Sequence, residues 1–460
     1  MHLYEPDTIA ALITAPGEAG VAIVRVSGPD ALTLADRIFD GPGAKPSERP
    51  ARTFVYGTVT VAGERIDEAL CLLFHAPHSY TGETVVELQG HGGAVCGRRI
   101  LRAVLDAGAR PAEPGEFTRR AFLNGRIDLV QAEAVMDLIT AHSERASAAA
   151  LEQLDGALSK VFDERYDRLA SIAADLEATL DFPEDELPDT ILPRIVGQMR
   201  DEDTALAAVI ATWEEGHLLR DGAVVVLSGR PNTGKSTLLN ALLGNERAIV
   251  SDVEGTTRDH IEEAMVLGGV PVRLVDTAGL RATGDAIEQA GIERTHQWRS
   301  QADLHVYLVD RSVALSDEVR KHIEELPTER SVLIWNKSDL PALADATEWR
   351  ERGYRVVDTS LASGEGLDAL RELMTEALLQ DVAMAARPHA VIGERHRHLL
   401  VSAREELASA IDYMASDEPE YHVLAVSQLR LAIERIGEAT GRDYEEDLLD
   451  RIFSRFCIGK

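Results

Sequence analysis

Residues 229–236 read Gly229-Arg-Pro-Asn-Thr-Gly-Lys-Ser236, between the apolar run Val224 to Leu227 and the residues Leu238, Leu239, Ala241 and Leu242. That order predicts a buried strand, a tight loop, and a helix whose N-terminus faces the loop. Glycines at this spacing let successive backbone N–H groups turn onto a polyphosphate. Lys235 then reaches the β/γ oxygens and Ser236 offers a hydroxyl to magnesium. A loop that merely turns a corner is the plain alternative, and three later segments count against it.

Asp276-Thr-Ala-Gly279 closes a second apolar strand (Val272, Leu274, Val275), where the aspartate can hold the magnesium shell and the Gly279 amide can meet the γ-phosphate. Asn336-Lys-Ser-Asp339 closes a third (Val332, Leu333, Ile334). A carboxylate at Asp339 accepts from guanine N1–H and the exocyclic amine, donors that adenine lacks, while Asn336 fits the other edge of the base. The nucleotide is therefore expected to be GTP. Gly255-Thr-Thr-Arg-Asp259 can cover the phosphates and lend a hydroxyl, from Thr257, to the same magnesium. Ser360-Leu-Ala-Ser-Gly364 follows the run Tyr354 to Val357 and can close over the base with backbone amides.

Leu280 follows Asp276-Thr-Ala-Gly279 and cannot orient an attacking water. Glu288 on the following helix is a candidate for that task; an ordinary exposed helix glutamate is the alternative. No arginine finger is evident from spacing, so another cation has to meet the transition-state charge. Asn232 can help coordinate a monovalent cation, or serve simply as a turn residue.

The chain carries 47 Lys plus Arg against 78 Asp plus Glu, a net charge of −31, which argues against a dominant nonspecific grip on nucleic acid. Any RNA contact must be local. The candidate patches are Arg98, Arg99 and Arg102; Arg119, Arg120 and Arg126; and Arg395 to His398, with solvated helix faces as the alternative for each. Three cysteines, at 71, 96 and 457, show no ligand-like pairing, and Cys71 lies in an apolar run that predicts a core position. The sequence shows no basic-then-apolar signal pattern and no apolar run near the ~20 residues needed to span a bilayer, so a cytoplasmic location with no membrane contact is expected.

At 460 residues the chain is long enough for two to four domains. The expected fold is multidomain. Residues 1–120 form an α+β domain, with strands at Val21 to Val26, Thr53 to Val61, Ala69 to Phe74 and Thr84 to Leu88 and a helix from Val95 to Ala107. Residues 121–220 are the first part of an all-α helical domain, in which Leu151, Leu154, Leu158, Val161, Leu169, Ile172, Leu176 and Leu180 make one apolar stripe. Residues 221–380 are an α/β P-loop GTPase domain inserted in the helical domain, whose second part is 381–460.

Beyond the nucleotide motifs the chain shows Asp7-Thr-Ile-Ala10, Arg25-Val-Ser-Gly28, Thr81-Gly-Glu83, Glu87-Leu-Gln-Gly-His-Gly-Gly93, Pro114-Gly-Glu-Phe-Thr118 and Arg120-Ala-Phe-Leu-Asn-Gly125, and ends Glu446-Asp-Leu-Leu-Asp-Arg-Ile-Phe-Ser-Arg-Phe-Cys-Ile-Gly-Lys460. Over essentially its whole length it resembles the MnmE (TrmE) family of tRNA-modifying GTPases. The resemblance implies an N-terminal domain that forms the homodimer and binds 5-formyl- or 5,10-methylene-tetrahydrofolate through Arg25, Glu87, Arg126 and Lys460. It implies a heterotetramer with the flavoprotein MnmG (GidA), which adds a carboxymethylaminomethyl or aminomethyl group at C5 of the wobble uridine of certain tRNAs.

The resemblance also implies that potassium at Asn232, Ser251, Val253 and Thr256 supplies the missing positive charge and that Glu288 orients the water. It places GTP against Asn232, Thr233, Gly234, Lys235, Ser236, Thr237, Ser251, Gly255, Thr256, Thr257, Asp276, Thr277, Ala278, Gly279, Asn336, Lys337, Asp339, Ser360, Leu361 and Ala362. Ser236 and Thr257 are the magnesium residues, and Lys235 and Glu288 the catalytic ones. Arg126 stands where the family often has lysine, and Leu361 where alanine is commoner. Cys457 is open to a covalent role on the uridine or to a packing or folate-pocket role. A ribosome-assembly type GTPase switch would share the nucleotide motifs but needs a basic RNA-binding appendage. A folate-dependent aminomethyl transferase working without GTP would leave residues 221–380 unused.

Overall fold

The structure, a computed structural model, describes residues 7–15, 17–181, 190–244, 262–276, 302–379, 392–415 and 419–460. Contacts divide the chain into two compact units, Met1–Met136 with Gly437–Lys460, and Asp137–Ile436.

The first unit is built on a seven-stranded sheet of β1 (Ile9–Leu12), β2 (Val21–Ser27), β3 (Phe39–Asp40), β4 (Thr53–Val61), β5 (Glu64–Phe74), β6 (Val85–His91) and β7 (Arg110–Pro111), in the order β3-β4-β5-β6-β2-β1-β7. The expected strands and helix fall on β2, β4, β5, β6 and α2 (Cys96–Asp106); β1 and α1 (Ala31–Ile38) had no strong periodic signal. Side chains alternate across the sheet. Val24 and Val26 of β2 join Leu34, Ile38, Ile100 and Val104 of the two helices in one core, and Cys71 is fully buried there, its thiol pushed up to about 12 by burial. Arg25, between those valines, faces the other way and lies opposite Glu87 in the β2–β6 register.

The helix α3 (Glu116–Leu123) starts at Gly115, whose φ of 70° is left-handed and whose close approach to the Phe453 carbonyl leaves no room for a Cβ. Pro114 bridges to Ile458, and Phe122 meets Tyr444 edge-on at 5.3 Å. Residues 437–460, assigned from sequence to the end of the helical part, are thus packed in the first unit.

In the second unit, α4 (Leu129–Thr140), which begins in the first, is followed by α5 (Glu144–Leu154), α6 (Ala157–Asp181), α7 (Ile191–Ile210) and α8 (Trp213–Arg220). The apolar stripe is not continuous. Gly156, at φ 86°, separates α5 from α6, so Leu151 belongs to another helix and is exposed, whereas Leu158, Leu169, Ile172 and Leu176 are core. Helix α7 packs on α6 and on the helix Glu394–Tyr413, burying Ile195, Met199 and Leu206 with Leu400 and Leu407. Each such side chain contributes about 1.5–3 kcal/mol of burial.

The second unit also holds a six-stranded sheet of β8 (Ala223–Gly229), β9 (Glu262–Leu267), β10 (Val270–Asp276), β11 (Leu304–Asp310), β12 (Ser331–Asn336) and β13 (Arg355–Thr359), in the order β13-β12-β11-β8-β10-β9. All neighbours are parallel except β9 and β10. The near-continuous apolar strands β8, β11 and β12 are buried on both faces, as parallel strands covered by helices require. Because β9 and β10 lie on one side of β8 and the strands that follow them, from β11 on, lie on the other, the carboxyl ends flanking β8 form the crevice where such sheets bind ligands.

Candidate functional site

The loop after β8 runs into the helix Lys235–Leu243. Asn232 is exposed at φ 65°, a left-handed conformation asparagine tolerates, and Gly234 lies at φ 105°. Lys235 is only 6% exposed, and its Nζ donates to the Gly229 carbonyl at 2.9 Å and the Arg230 carbonyl at 2.7 Å. The ammonium is therefore held inside the loop. Thr233 is buried, with Oγ1 donating to the Arg230 carbonyl at 2.9 Å; Ser236 and Thr237 are exposed at the helix start. A polyphosphate fits this cradle, since the amides and the helix dipole both favour negative charge. Asp276 closes β10 beside β8, pairing in register with Leu227. Ser251, Val253, Gly255, Thr256, Thr257, Thr277, Ala278, Gly279 and Glu288 lie outside the described residues.

Asn336 does more inside the protein than its assignment to the edge of the base suggests. Its Nδ2 donates to the Thr233 carbonyl at 2.8 Å, while Oδ1 accepts from Thr359 Oγ1 and the Leu361 amide, each at 3.2 Å. One buried side chain thus ties the phosphate loop, the end of β12 and the segment after β13 together. Of the amides expected to face the base, that of Leu361 is already engaged; Ala362 is exposed. The Leu361 side chain is core, which gives leucine at this position a packing role.

Asp339 is exposed, oriented by Ser360 Oγ, which donates to its Oδ1 at 2.7 Å. Lys337, at φ 67°, pairs with Asp310 and anchors the neighbouring strand end. Burial raises the Asp310 pKa, but hydrogen bonds from Lys337 and Ser312 outweigh it and hold the carboxyl below its ordinary range.

Gly234 abuts this brace: a Cβ there would stand 2.5 Å from Asn336 Nδ2 and 3.2 Å from Leu361 Cδ1. Gly234→Ala is expected to cost roughly 1–3 kcal/mol through its left-handed backbone and this clash, and to weaken GTP binding about tenfold or more. Titration with a fluorescent GTP analogue checks this, and unchanged affinity would contradict the brace.

A second candidate site lies in the first unit. A cavity of about 590 Å³ is lined by Arg25, Tyr80, Glu87 and Arg126 among others. Arg25 Nε donates to Glu87 Oε1 at 2.9 Å, and the guanidinium lies over the rings of Tyr80 (4.8 Å) and Phe117 (5.5 Å). Arg126 lies over Tyr80 at 5.1 Å and donates to its carbonyl. Arg25 Nη1 is buried with no hydrogen-bond partner. A buried guanidinium nitrogen left over from its ion pair calls for an acceptor, so an anionic or carbonyl-bearing planar ligand fits.

Burial pushes the Lys460 ammonium below the usual lysine range; Arg25 pushes the same way and Glu87 opposes both. A lysine with a depressed folded pKa destabilises the fold below that pKa. A bound anion would relieve this. Cys457 is exposed, which removes the packing role considered for it; its carbonyl accepts from the Lys460 amide at 3.3 Å.

A buried ion network holds the segment carrying Tyr80. Arg120, 1% exposed, meets Asp7 (2.6 Å), Glu116 (3.1 Å) and Glu83 (3.1 Å), and Glu83 accepts from Ser27 Oγ at 2.6 Å. Tyr80 Oη sits 2.8 Å from Thr118 Oγ1.

Arg120 is therefore not available to RNA, and Arg119 pairs with Asp450. In the other patches Arg99 pairs with Glu64, Arg102 with Asp106, and His396 is fully buried. Periodicity could not reveal the pairs of Arg99, Arg119 and Arg120 with Glu64, Asp450 and Asp7, which come from distant segments, whereas Arg102 and Asp106 stand four residues apart on one helix.

Residues 8–126 match the family model for the GTP-binding protein TrmE N-terminus, and residues 129–457 match that for the MnmE helical domain. A tRNA modification GTPase MnmE of Moorella thermoacetica is 45% identical over 99% of both chains. The chain belongs to the MnmE family. MnmE relatives from Symbiobacterium thermophilum (46% identical, 99% of both chains) and Geobacter sulfurreducens (43%, 100% of both) bear the same description. As an MnmE-family chain it combines a TrmE N-terminal domain, a helical domain and a P-loop sheet. Among the described residues no helix is long and apolar enough to cross a membrane.

Proposed function

We propose that this tRNA modification GTPase uses GTP hydrolysis in its nucleotide-binding part to drive a group addition at C5 of the wobble uridine, working as a homodimer with the flavoprotein MnmG. A tetrahydrofolate one-carbon donor occupies the cavity of the first unit. The observation that supports this best is the pairing, in one MnmE-family chain, of an Asn336-braced phosphate loop with a cavity holding an orphaned arginine nitrogen. Lys235 would exchange its two loop carbonyls for phosphate oxygens, a trade of like hydrogen bonds that keeps the buried ammonium satisfied. Asp339 selects guanine.

Magnesium, when bound, neutralises charge between the phosphates and would be held through Ser236 and Thr257. Potassium would be held at Asn232 with Ser251, Val253 and Thr256, and Glu288 would orient the water. Arg25, Glu87, Arg126 and Lys460 would hold the folate, with Arg25 Nη1 supplying a buried donor for it.

Hydrolysis by the full chain is expected to run at least tenfold faster in potassium than in sodium at equal ionic strength, because without an arginine finger the transition-state charge needs a cation of fitting size. Equal turnover in the two salts would overturn the potassium assignment.

A further inference from the structure

Arginines are outnumbered partners in this acidic chain, and many are paired: Arg99 with Glu64, Arg102 with Asp106, Arg110 with Glu116, Arg119 with Asp450. The cavity of the first unit runs against that pattern. Arg126 reaches only the Tyr80 carbonyl and ring, and the Arg52 side chain makes no hydrogen bond or ion pair among the described residues. Arg52 is held at φ 59°, uncommon for a residue with a side chain, while its amide donates to the Leu73 carbonyl at 2.7 Å. Arg52 and His78 line the same cavity as Arg25 and Arg126 and are exposed, so they stand at its mouth. The one carboxylate among the lining residues, Glu87, already engages Arg25.

Two unpaired guanidinium groups at the mouth, beyond the inner Arg25–Glu87 pair, make the outer cavity a site for more than one negative charge. We infer that this cavity takes a tetrahydrofolate with a γ-linked polyglutamate tail, and that Arg52 with Arg126 reads the added carboxylates. This rests on the folate reading above. Each further glutamate adds one carboxylate and extends the ligand outward, past the volume that holds the rings. His78 supplies a further ring nitrogen at the same rim.

The test is titration of the full chain with 5-formyltetrahydrofolate as the monoglutamate and as the triglutamate. The triglutamate should bind about fivefold tighter at low salt, the gain expected of exposed charge pairs, and the ratio should shrink as salt rises. Arg52→Ala should bring the ratio to about one, and Arg52→Lys should restore most of it. Equal affinity of the two forms for the unaltered chain would overturn the inference and leave the folate reading standing. A preference that survives Arg52→Ala would overturn the assignment to Arg52. Binding of neither form would overturn the folate reading itself, and the inference with it.

Discussion

Asp339→Asn is expected to lower GTP affinity on the order of 100-fold or more while admitting xanthosine triphosphate. In the proposed reading the carboxylate accepts from two guanine donors, and Ser360 Oγ donates to its Oδ1 and orients it. An amide in its place can still accept from N1–H through its oxygen but sets its NH2 against guanine's amine, donor against donor, which is how a hydrogen-bonding site rejects a near-isostere so strongly. Xanthine carries a carbonyl where guanine carries the amine and so accepts from the new amide. Dissociation constants for both nucleotides check the exchange. GTP affinity within threefold of the unaltered chain would mean that the base is read elsewhere.

Arg120→Met should destabilise the first unit by roughly 3–5 kcal/mol, since it leaves carboxylates gathered around a buried cation without that cation. Burial raises the pKa values of Glu116 and Asp7, but hydrogen bonds from Arg110 and Arg120, with the Glu113 amide helping at Glu116, outweigh it and hold both below their ordinary range. Groups with depressed folded pKa values stabilise the fold above the ordinary carboxylate pKa, and that contribution is lost as pH falls through the folded pKa. The difference between the two proteins should therefore be full near neutrality and shrink below about pH 4. Chemical denaturation followed at several pH values measures it. A pH-independent difference would point to lost packing instead. Because Glu83 is in the same network, the variant should also loosen Tyr80 and weaken ligand binding in the cavity.

Much of the nucleotide site was legible because its chemistry sits in contiguous segments: the residues 229–236 and Asn336 to Asp339 fall at strand ends where their flanking apolar runs predicted them. The brace made by Asn336 was not, since its partners Thr233, Thr359 and Leu361 come from separate segments. The same reason hid the pairing of Arg120 with Asp7, more than a hundred residues away in sequence. Helical periodicity found the core residues Leu158, Leu169, Ile172 and Leu176, yet it ran through Gly156, whose left-handed backbone ends one helix and starts the next. The strand β1, only four residues long, gave too short a pattern to register. Residues 437–460 were assigned with the helical part, and nothing in the sequence showed their packing on Gly115 and Phe122, which depends on surfaces far away in sequence.

The measurement that bears most directly on the central claim is mass analysis of wobble-position nucleosides in tRNA from a strain lacking this chain, complemented with either the unaltered gene or Asp339→Asn. Coupling of guanine-nucleotide turnover to base modification predicts that the C5 substituent disappears in the deletion strain, returns with the unaltered gene, and stays absent with the variant. A C5 substituent that persists without the chain, or returns equally with both genes, would contradict it.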